Sequence, residues 1–450
     1  MTSLNKNISV VGAGLAGSEC ALQLADLGYK VILYEMRGVQ PTPAHKTTDF
    51  AELVCSNSFG SLGEISAPGQ LKWEAEHLNS HILKAAKACS VPAGQALGID
   101  RELFAKQITE IVSNHPNITV SREVVKSLSQ IQRPTVIATG PLTDEDFAKD
   151  LQNHFGDEFL YFFDAIAPII DADTINTEIA WKANRYDKIE GDGSIDGDYF
   201  NCPMNKDEYF NFITEIQNAK KIEPKHFETT EFFEGCMPIE AMIDRGIHTP
   251  RFGPMKPVGL DDPRTGRYPY AVVQLRQDNK EATAFNIVGF QTRMAYGEQT
   301  RIFRMIPGLE NAEFLKLGSI HRNMYINTPK RLNKDLSSKN DPWLFFAGQI
   351  TGVEGYFEST CMGLLAAKFL HQKLSDQVFS PPPRLSALGA LHTAITDEFK
   401  INHFQPTNIN FGLMLPIEEP PPAGQKKWDK KEKKSLQIQK ARAALTEWLG

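Results

Sequence analysis

The sequence is poor in the features that mark a metal centre, a redox dithiol or a membrane anchor. Its six cysteines (Cys20, Cys55, Cys89, Cys202, Cys236 and Cys361) are scattered through 450 residues, and none forms a C-x-x-C or C-x-x-x-x-C pair. That spacing argues against a zinc ribbon and a dithiol redox centre, and it predicts reduced thiols of the intracellular kind. Eleven histidines include no H-E-x-x-H or similar ligand spacing, so no metal is expected. No apolar run approaches the roughly 20 residues of a membrane span. The start, Met1-Thr2-Ser3-Leu4-Asn5-Lys6-Asn7, lacks a charged segment followed by an apolar one and a cleavage site. A cytoplasmic location without membrane attachment is therefore expected. Positive charge is not in excess either: 48 Lys and Arg face 55 Asp and Glu, a net of −7. A chain of this charge can hold nucleic acid only through a local basic patch. Internal repeats and long low-complexity segments are absent.

The composition that remains, 41% hydrophobic and 23% charged, is that of a globular chain with two or three cores. Asn7 to Val11 reads as a short apolar strand, followed by Gly12-Ala13-Gly14-Leu15-Ala16-Gly17 and a helix to about Leu27. Cys20, Leu24 and Leu27 recur on one face of that helix, and Gly28 is a natural stop. Val31 to Tyr34 is the next strand and ends in Glu35. A single amphipathic helix is expected from Leu71 to Cys89, entered at Pro68-Gly69, with Leu71, Ala75, Leu78, Ile82, Ala85 and Cys89 on one stripe. Thr135 to Ala138 and Trp343 to Ala347 read as buried strands, with a helix from Gly348 to about Leu374 and a last one over Ser435 to Leu449. Between them, residues 142 to 330 carry short strands, aromatics and Pro/Gly turns, the pattern of an inserted domain.

The glycine run has a specific physical reading. G-x-G-x-x-G between a strand and a helix is a dinucleotide fingerprint when an acidic residue ends the next strand, and Glu35 lies 18 residues after Gly17. Gly12 permits the tight turn, Gly14 lets the backbone approach a pyrophosphate, and Gly17 lets the helix pack on the sheet. The backbone of Ala13, Leu15 and Ala16 would complete the phosphate-binding turn at the helix N-terminus, while Glu35 accepts from ribose hydroxyls. Val136-Ile137-Ala138-Thr139-Gly140 resembles the second element of the FAD fold of the glutathione-reductase type, and Phe345-Phe346-Ala347-Gly348-Gln349 resembles the third. Gly140, Gly348 and Gln349 thereby join the expected cofactor contacts, with Gln349 where many such flavoproteins have Asp. The expected fold is α/β: an FAD-binding Rossmann domain from 1–141 and 335–450, with an α+β domain inserted at 142–334.

Longer words narrow the resemblance. Glu52-Leu53-Val54-Cys55-Ser56-Asn57-Ser58, Asp100-Arg101, Asn201-Cys202-Pro203-Met204, Phe233-Glu234-Gly235-Cys236-Met237-Pro238, Gly253-Pro254-Met255-Lys256-Pro257-Val258-Gly259-Leu260 and Ala271-Val272-Val273-Gln274-Leu275-Arg276 run along nearly the whole chain. In these the sequence resembles the bacterial folate- and FAD-dependent tRNA uracil-5-methyltransferases, relatives of the GidA-type flavoproteins. The resemblance implies methylation of C5 of the T-loop uridine at position 54 of tRNA. Methylenetetrahydrofolate would be the carbon donor, reduced FAD the methylene carrier and reductant, and NAD(P)H the source of electrons. It implies two functional cysteines, Cys55 and Cys236. Uracil C5 is a poor nucleophile until a thiolate adds to C6, a task that suits cysteine. Cys236, in an E-G-C-M-P turn, is the expected nucleophile and Cys55 the assisting group, although the two roles could be exchanged. The same chemistry on a ribosomal RNA uridine, or a GidA-like modification of a wobble uridine, are the alternatives.

For the RNA, Lys256, Arg264, Arg267 and Arg276 stand in a Pro/Gly-rich stretch with Tyr268 and Tyr270 between them. Interleaved cations and aromatics suit phosphate contact and base stacking. The competing reading is a solvated loop whose cations pair with Asp261 and Asp262. The densest positive run, Lys426 to Lys434, is the kind that usually forms a solvated face.

Overall fold

The computed structural model describes residues 7–156, 160–165, 167–186, 197–222, 237–318, 320–421 and 428–450, with the backbone alone at 160–165, 320–322 and 403. Five parallel strands form the first sheet, in the spatial order Leu344–Phe346, Thr135–Ile137, Asn7–Val11, Lys30–Tyr34, Ile118–Ser121. Parallel strands buried on both faces need near-continuous apolar runs, and Ile8, Val10, Val31, Leu33, Val136, Phe345 and Phe346 supply them, all at most 1% exposed. Asn7–Val11 sits at the centre, so the loop leaving its C-terminal end opens where flanking strands lead away in opposite directions, the usual ligand crevice of an open α/β sheet.

The helix Leu15–Asp26 follows, and Gly28 turns the chain at φ +87°. Cys20 and Leu24 are buried as their spacing predicts, whereas Leu27 is 49% exposed because it caps the helix rather than continuing its stripe. This helix crosses Tyr356–Leu374 closely: a Cβ on Gly363 would stand 2.2 Å from the Ala16 carbonyl oxygen. The chain before Tyr356–Leu374 differs from expectation. Gly348 opens only a short 3₁₀ turn at Gln349–Thr351, and Gly352 and Gly355, at φ +83° and +112°, delay the helix to Tyr356.

The expected Leu71–Cys89 helix is two helices, Ala67–His77 and His81–Ala88. Asn79 takes φ +58° between them, and Ser80 caps the second through Leu83 N–H. The break is held from outside, since the Glu19 carboxylate accepts from Ser80 Oγ (2.9 Å), His81 N (3.2 Å) and Ile82 N (2.8 Å). Leu71, Ala75, Ile82 and Ala85 nevertheless reach one core. The last helix begins earlier than expected, at Lys430, because Asp429 accepts from Lys431 and Glu432 N–H.

Within 169–316 lies an antiparallel six-stranded sheet, in the order Trp181–Lys182, Tyr199–Met204, Ala271–Gln277, Ala284–Ile287, Ile169–Asp171, Phe314–Lys316. It has its own core, built on Tyr209, Phe212, Phe285, Phe290 and Phe303. Leu160–Ala165 and Ile320–Tyr325 pair as a two-stranded antiparallel ribbon at the entry to and exit from this sheet.

Candidate active site

The fingerprint turn lies open at the C-terminal end of the central strand. Gly12, at φ +100°, brings its backbone so close to the neighbouring strand that a Cβ would stand 2.5 Å from the Ala138 carbonyl oxygen. A Cβ on Gly17 would likewise strike the Gly12 carbonyl. Gly14 is different: no protein atom lies within 4 Å of where its Cβ would be, and the same holds for Gly140. Both line one cavity with Gly12, Leu15, Ala16, Gly348 and Gln349. The helix entered at Gly14 has no side-chain cap, so its first N–H groups are available to a phosphate. Ala13 N–H is engaged, donating to Glu35 Oε2 at 2.9 Å.

Glu35 is more committed than the sequence suggests. Oε1 accepts from Arg37 N (2.9 Å) and Nε (3.0 Å), and Oε2 from Ala13 N and Arg37 Nη2 (3.2 Å). Burial raises the Glu35 pKa, but the Arg37 hydrogen bonds and charge outweigh it and hold the carboxyl below its ordinary range. Arg37 Nη1 is buried without a hydrogen-bond partner and Arg37 lines the cavity. Nη1 stands 3.8 Å from Glu52 Oε2, beyond hydrogen-bond reach; a buried cation with a donor to spare, lining the cavity that Gly14 leaves clear, fits the adenosine–pyrophosphate part of FAD. Gln349, at the third element, donates to Glu354 Oε2 at 3.0 Å and lines the same cavity.

Cys55 lies where this cavity continues toward the antiparallel sheet. It lines two further clefts, one shared with Pro141, Leu142, Gln349 and Tyr356, the other with Arg276, Asn286 and Gly289. Cys55 is half-buried, whereas Cys20, Cys89, Cys202 and Cys361 are buried. Burial pushes the Cys20, Cys202 and Cys361 thiols well up, as expected of inert core cysteines. The Cys55 loop is pinned on three sides. Cys55 N and Ser56 N donate to Tyr356 Oη at 2.6 and 3.2 Å. Arg101 donates to Leu53 O at 3.0 Å and pairs with Asp278. Lys316 Nζ donates to Val54 O at 3.0 Å. Burial, with the Arg101 and Lys46 charges adding, brings the Lys316 pKa down to about 8. Arg101 belongs to the Asp100-Arg101 word, but Tyr356, Lys316 and Arg37 carry no pattern of their own in the sequence. Cys236 lies outside the described residues. The described chain resumes at Met237, and Ile239 N donates to Gln291 O at 2.8 Å, a residue of the Arg276 cleft.

The four cations expected to act together occupy different environments. Arg264 is exposed but holds Asp262 through Nε (2.9 Å) and Nη2 (2.8 Å). Arg267 is exposed in the same turn, beside Tyr268 at 58% exposure. Lys256 is half-buried. Arg276 is 9% exposed and lies on a strand buried along its whole length, in the cleft with Cys55. Tyr270 is covered by Arg251, whose guanidinium carbon is 3.6 Å from the ring centroid. Among the described residues no group of three His, Cys, Asp or Glu side chains converges as a metal site.

Sheet order, glycine turn and cavity together define a flavoprotein of the dinucleotide-binding class. The family profile described as glucose inhibited division protein A matches residues 7–377. The methylenetetrahydrofolate–tRNA-(uracil-5-)-methyltransferase TrmFO of Bdellovibrio bacteriovorus is 72% identical over 450 residues, the full length of both chains. That of Sphingopyxis alaskensis is 50% identical over 448 residues, covering 98% of this chain and 97% of its own. The chain belongs to this family of methyltransferases. The solved structure of Aquifex aeolicus GidA superposes with a TM-score of 0.66 over 98% of this chain and 73% of its own; at 14% identity it speaks for the fold alone.

Proposed function

We propose that the protein methylates C5 of a uridine in tRNA, the T-loop uridine at position 54, from methylenetetrahydrofolate. The observation that carries this reading is Cys55, the half-buried thiol at the point where the flavin cavity meets a cleft of the antiparallel sheet. Gly12 to Gly17, Glu35, Arg37, Gly140, Gly348 and Gln349 would hold FAD, which would supply one-carbon transfer and two electrons replenished by NAD(P)H. The chain's own part is to hold and activate the base. Cys236 as thiolate forms a bond to uracil C6, the C5–C6 π electrons move toward O4, and C5 becomes the nucleophile. Once C5 has bonded to the one-carbon unit it carries both that carbon and its proton; loss of the proton then expels the thiolate and restores the C5–C6 double bond, and Cys55 assists by taking that proton. Lys316 and Arg101 hold the Cys55 loop and keep positive charge beside it. The reading places the protein in the cytoplasm, with the substrate side formed by 142–334 and the flavin side by 1–141 and 335–450. No helix among the described residues is long and apolar enough to cross a membrane.

The test is a methylation assay on unmodified tRNA with FAD, NADPH and methylene-labelled methylenetetrahydrofolate. Label is expected in uracil C5-methyl without S-adenosylmethionine. Label that appears only when S-adenosylmethionine is added sinks the folate reading, and a preference for ribosomal RNA in the same assay replaces the substrate. Cys236→Ala is expected to retain FAD and lose methylation.

A further inference from the structure

The cleft beyond Cys55 holds polar groups that the reaction so far leaves unused. It measures about 260 Å³, room for a planar ring. Cys55, Ser56, Arg276, Asn286 and Gly289 line it. Gly289 is at φ +77°, and a Cβ there would stand 2.4 Å from Pro254 Cβ, so this wall depends on glycine.

Arg276 and Asn286 are both aimed by Asn57. Asn57 Nδ2 donates to Ile99 O (3.2 Å) and Gln277 O (2.8 Å), which fixes its amide. Its Oδ1 then accepts from Arg276 Nε (3.0 Å) and Asn286 Nδ2 (3.1 Å). Asn286 Nδ2 also donates to Asp278 Oδ1 at 3.2 Å. With oxygen acceptors at both sites, the Asn286 amide nitrogen must face them, and its oxygen is turned the other way. No described residue donates to that oxygen. No described carboxylate lies within ion-pair distance of Arg276: Asp278, whose charge it feels, pairs with Arg101, and the side-chain partner of Arg276 besides Asn57 is Tyr199. A buried guanidinium without a carboxylate partner and an amide oxygen without a donor thus line one small cleft, next to a half-buried thiol.

We propose that this cleft reads the target uracil: Arg276 donates to O4 and Asn286 Oδ1 accepts from N3–H. The inference rests on the uracil-methylating reading above. Enzymes that act on a base draw it out of its stack and read it by its Watson–Crick edge. Uracil presents an acceptor at O4 and a donor at N3, the complement of this pair. Cytosine presents the reverse, an amino group against the guanidinium and a lone pair against the amide oxygen. Addition of a thiolate at C6 places negative charge on O4, so a preorganised guanidinium there stabilises the enolate as it forms. Asn57 is the positioning residue for both.

The experiment uses the FAD-loaded protein and three T-arm RNA hairpins, with uridine, cytidine or N3-methyluridine at the target position. Fluorescence anisotropy measures binding without folate or turnover. The uridine hairpin is expected to bind about tenfold more tightly than the other two. Asn286→Leu is expected to reduce that preference to within about threefold. In the methylation assay Arg276→Gln is expected to retain FAD and lower kcat by roughly 10²–10³-fold with a smaller change in KM. The N3-methyluridine arm needs no variant, so misfolding cannot mask its result. Wild-type protein that binds all three hairpins equally, or binds none, overturns the inference, as does Arg276→Gln with near-wild-type kcat. Discrimination among hairpins without methylation would instead overturn the assigned activity and leave the reading site standing.

Discussion

Gly12 and Gly14 are two positions apart and are required for opposite reasons. At Gly12 the protein itself forbids a side chain, through a positive φ and the Ala138 carbonyl oxygen 2.5 Å from the would-be Cβ. At Gly14 nothing in the protein objects, and only a ligand would. Gly14→Val is therefore expected to lose FAD while the apo-protein keeps its stability to within about 0.5 kcal/mol. Gly12→Val is expected to cost about 3 kcal/mol or more in the apo-protein. Urea unfolding followed by circular dichroism, with flavin absorbance after reconstitution, separates the two. Equal destabilisation by both would remove the phosphate-cradle role of Gly14. The steric need for glycine at Gly12 is readable in the sequence because turn geometry is local. Arg37 and Arg276 are not readable in that way. The first looks like a surface cation beside Glu35 until its burial is known. The second owes its orientation to Asn57, 219 positions away.

Periodicity places the faces of elements well and their ends less well. The stripe of Leu71, Ala75, Ile82 and Ala85 is buried as its spacing requires. The break at Asn79 is invisible to periodicity because its cause, the Glu19 carboxylate, comes from another helix. The same device recurs at Ala387–Thr396, where Glu74 accepts from Ala387 N and Leu388 N, both at 2.7 Å. Burial raises the Glu74 pKa from 4.5 to about 7, against the opposing pull of those N–H groups and Gln70. Its folded value lies above the unfolded one, so its contribution to stability is complete below pH 4.5 and is lost as pH rises through about 7. Compared with Glu74→Gln, which does not titrate, the wild-type protein is expected to lose about 3 kcal/mol of relative stability across that range. Denaturant midpoints of both proteins at a series of pH values test this. Parallel profiles would mean that Glu74 does not change protonation there.

At the scale of the whole molecule, the parallel sheet and its cofactor end were legible because one motif sets strand, turn and helix together. The antiparallel sheet was legible only as a change of texture, since its strand order depends on pairings far apart in sequence. The charge pattern has the same character. A net of −7 disfavours tRNA, so binding must come from whichever cations are unspent on the protein's own carboxylates. Sequence puts Arg264 and Arg267 on equal terms, but Arg264 is bound by Asp262 through two short contacts and Arg267 is exposed three residues away. Phosphate contact by Arg264 would have to compete with an ion pair already in place, whereas Arg267 can release counterions at no such cost. Arg267→Ala is therefore expected to lower the slope of log Kd against log salt for tRNA by about 0.7–0.9. Arg264→Ala is expected to change it by less than half as much, and the contrast should vanish in an Asp262→Asn background, where Arg264 is released. Filter binding of tRNA between about 50 and 200 mM salt measures all three. Equal slopes for wild type and Arg267→Ala would move the phosphate contact away from this turn to another basic face of the chain.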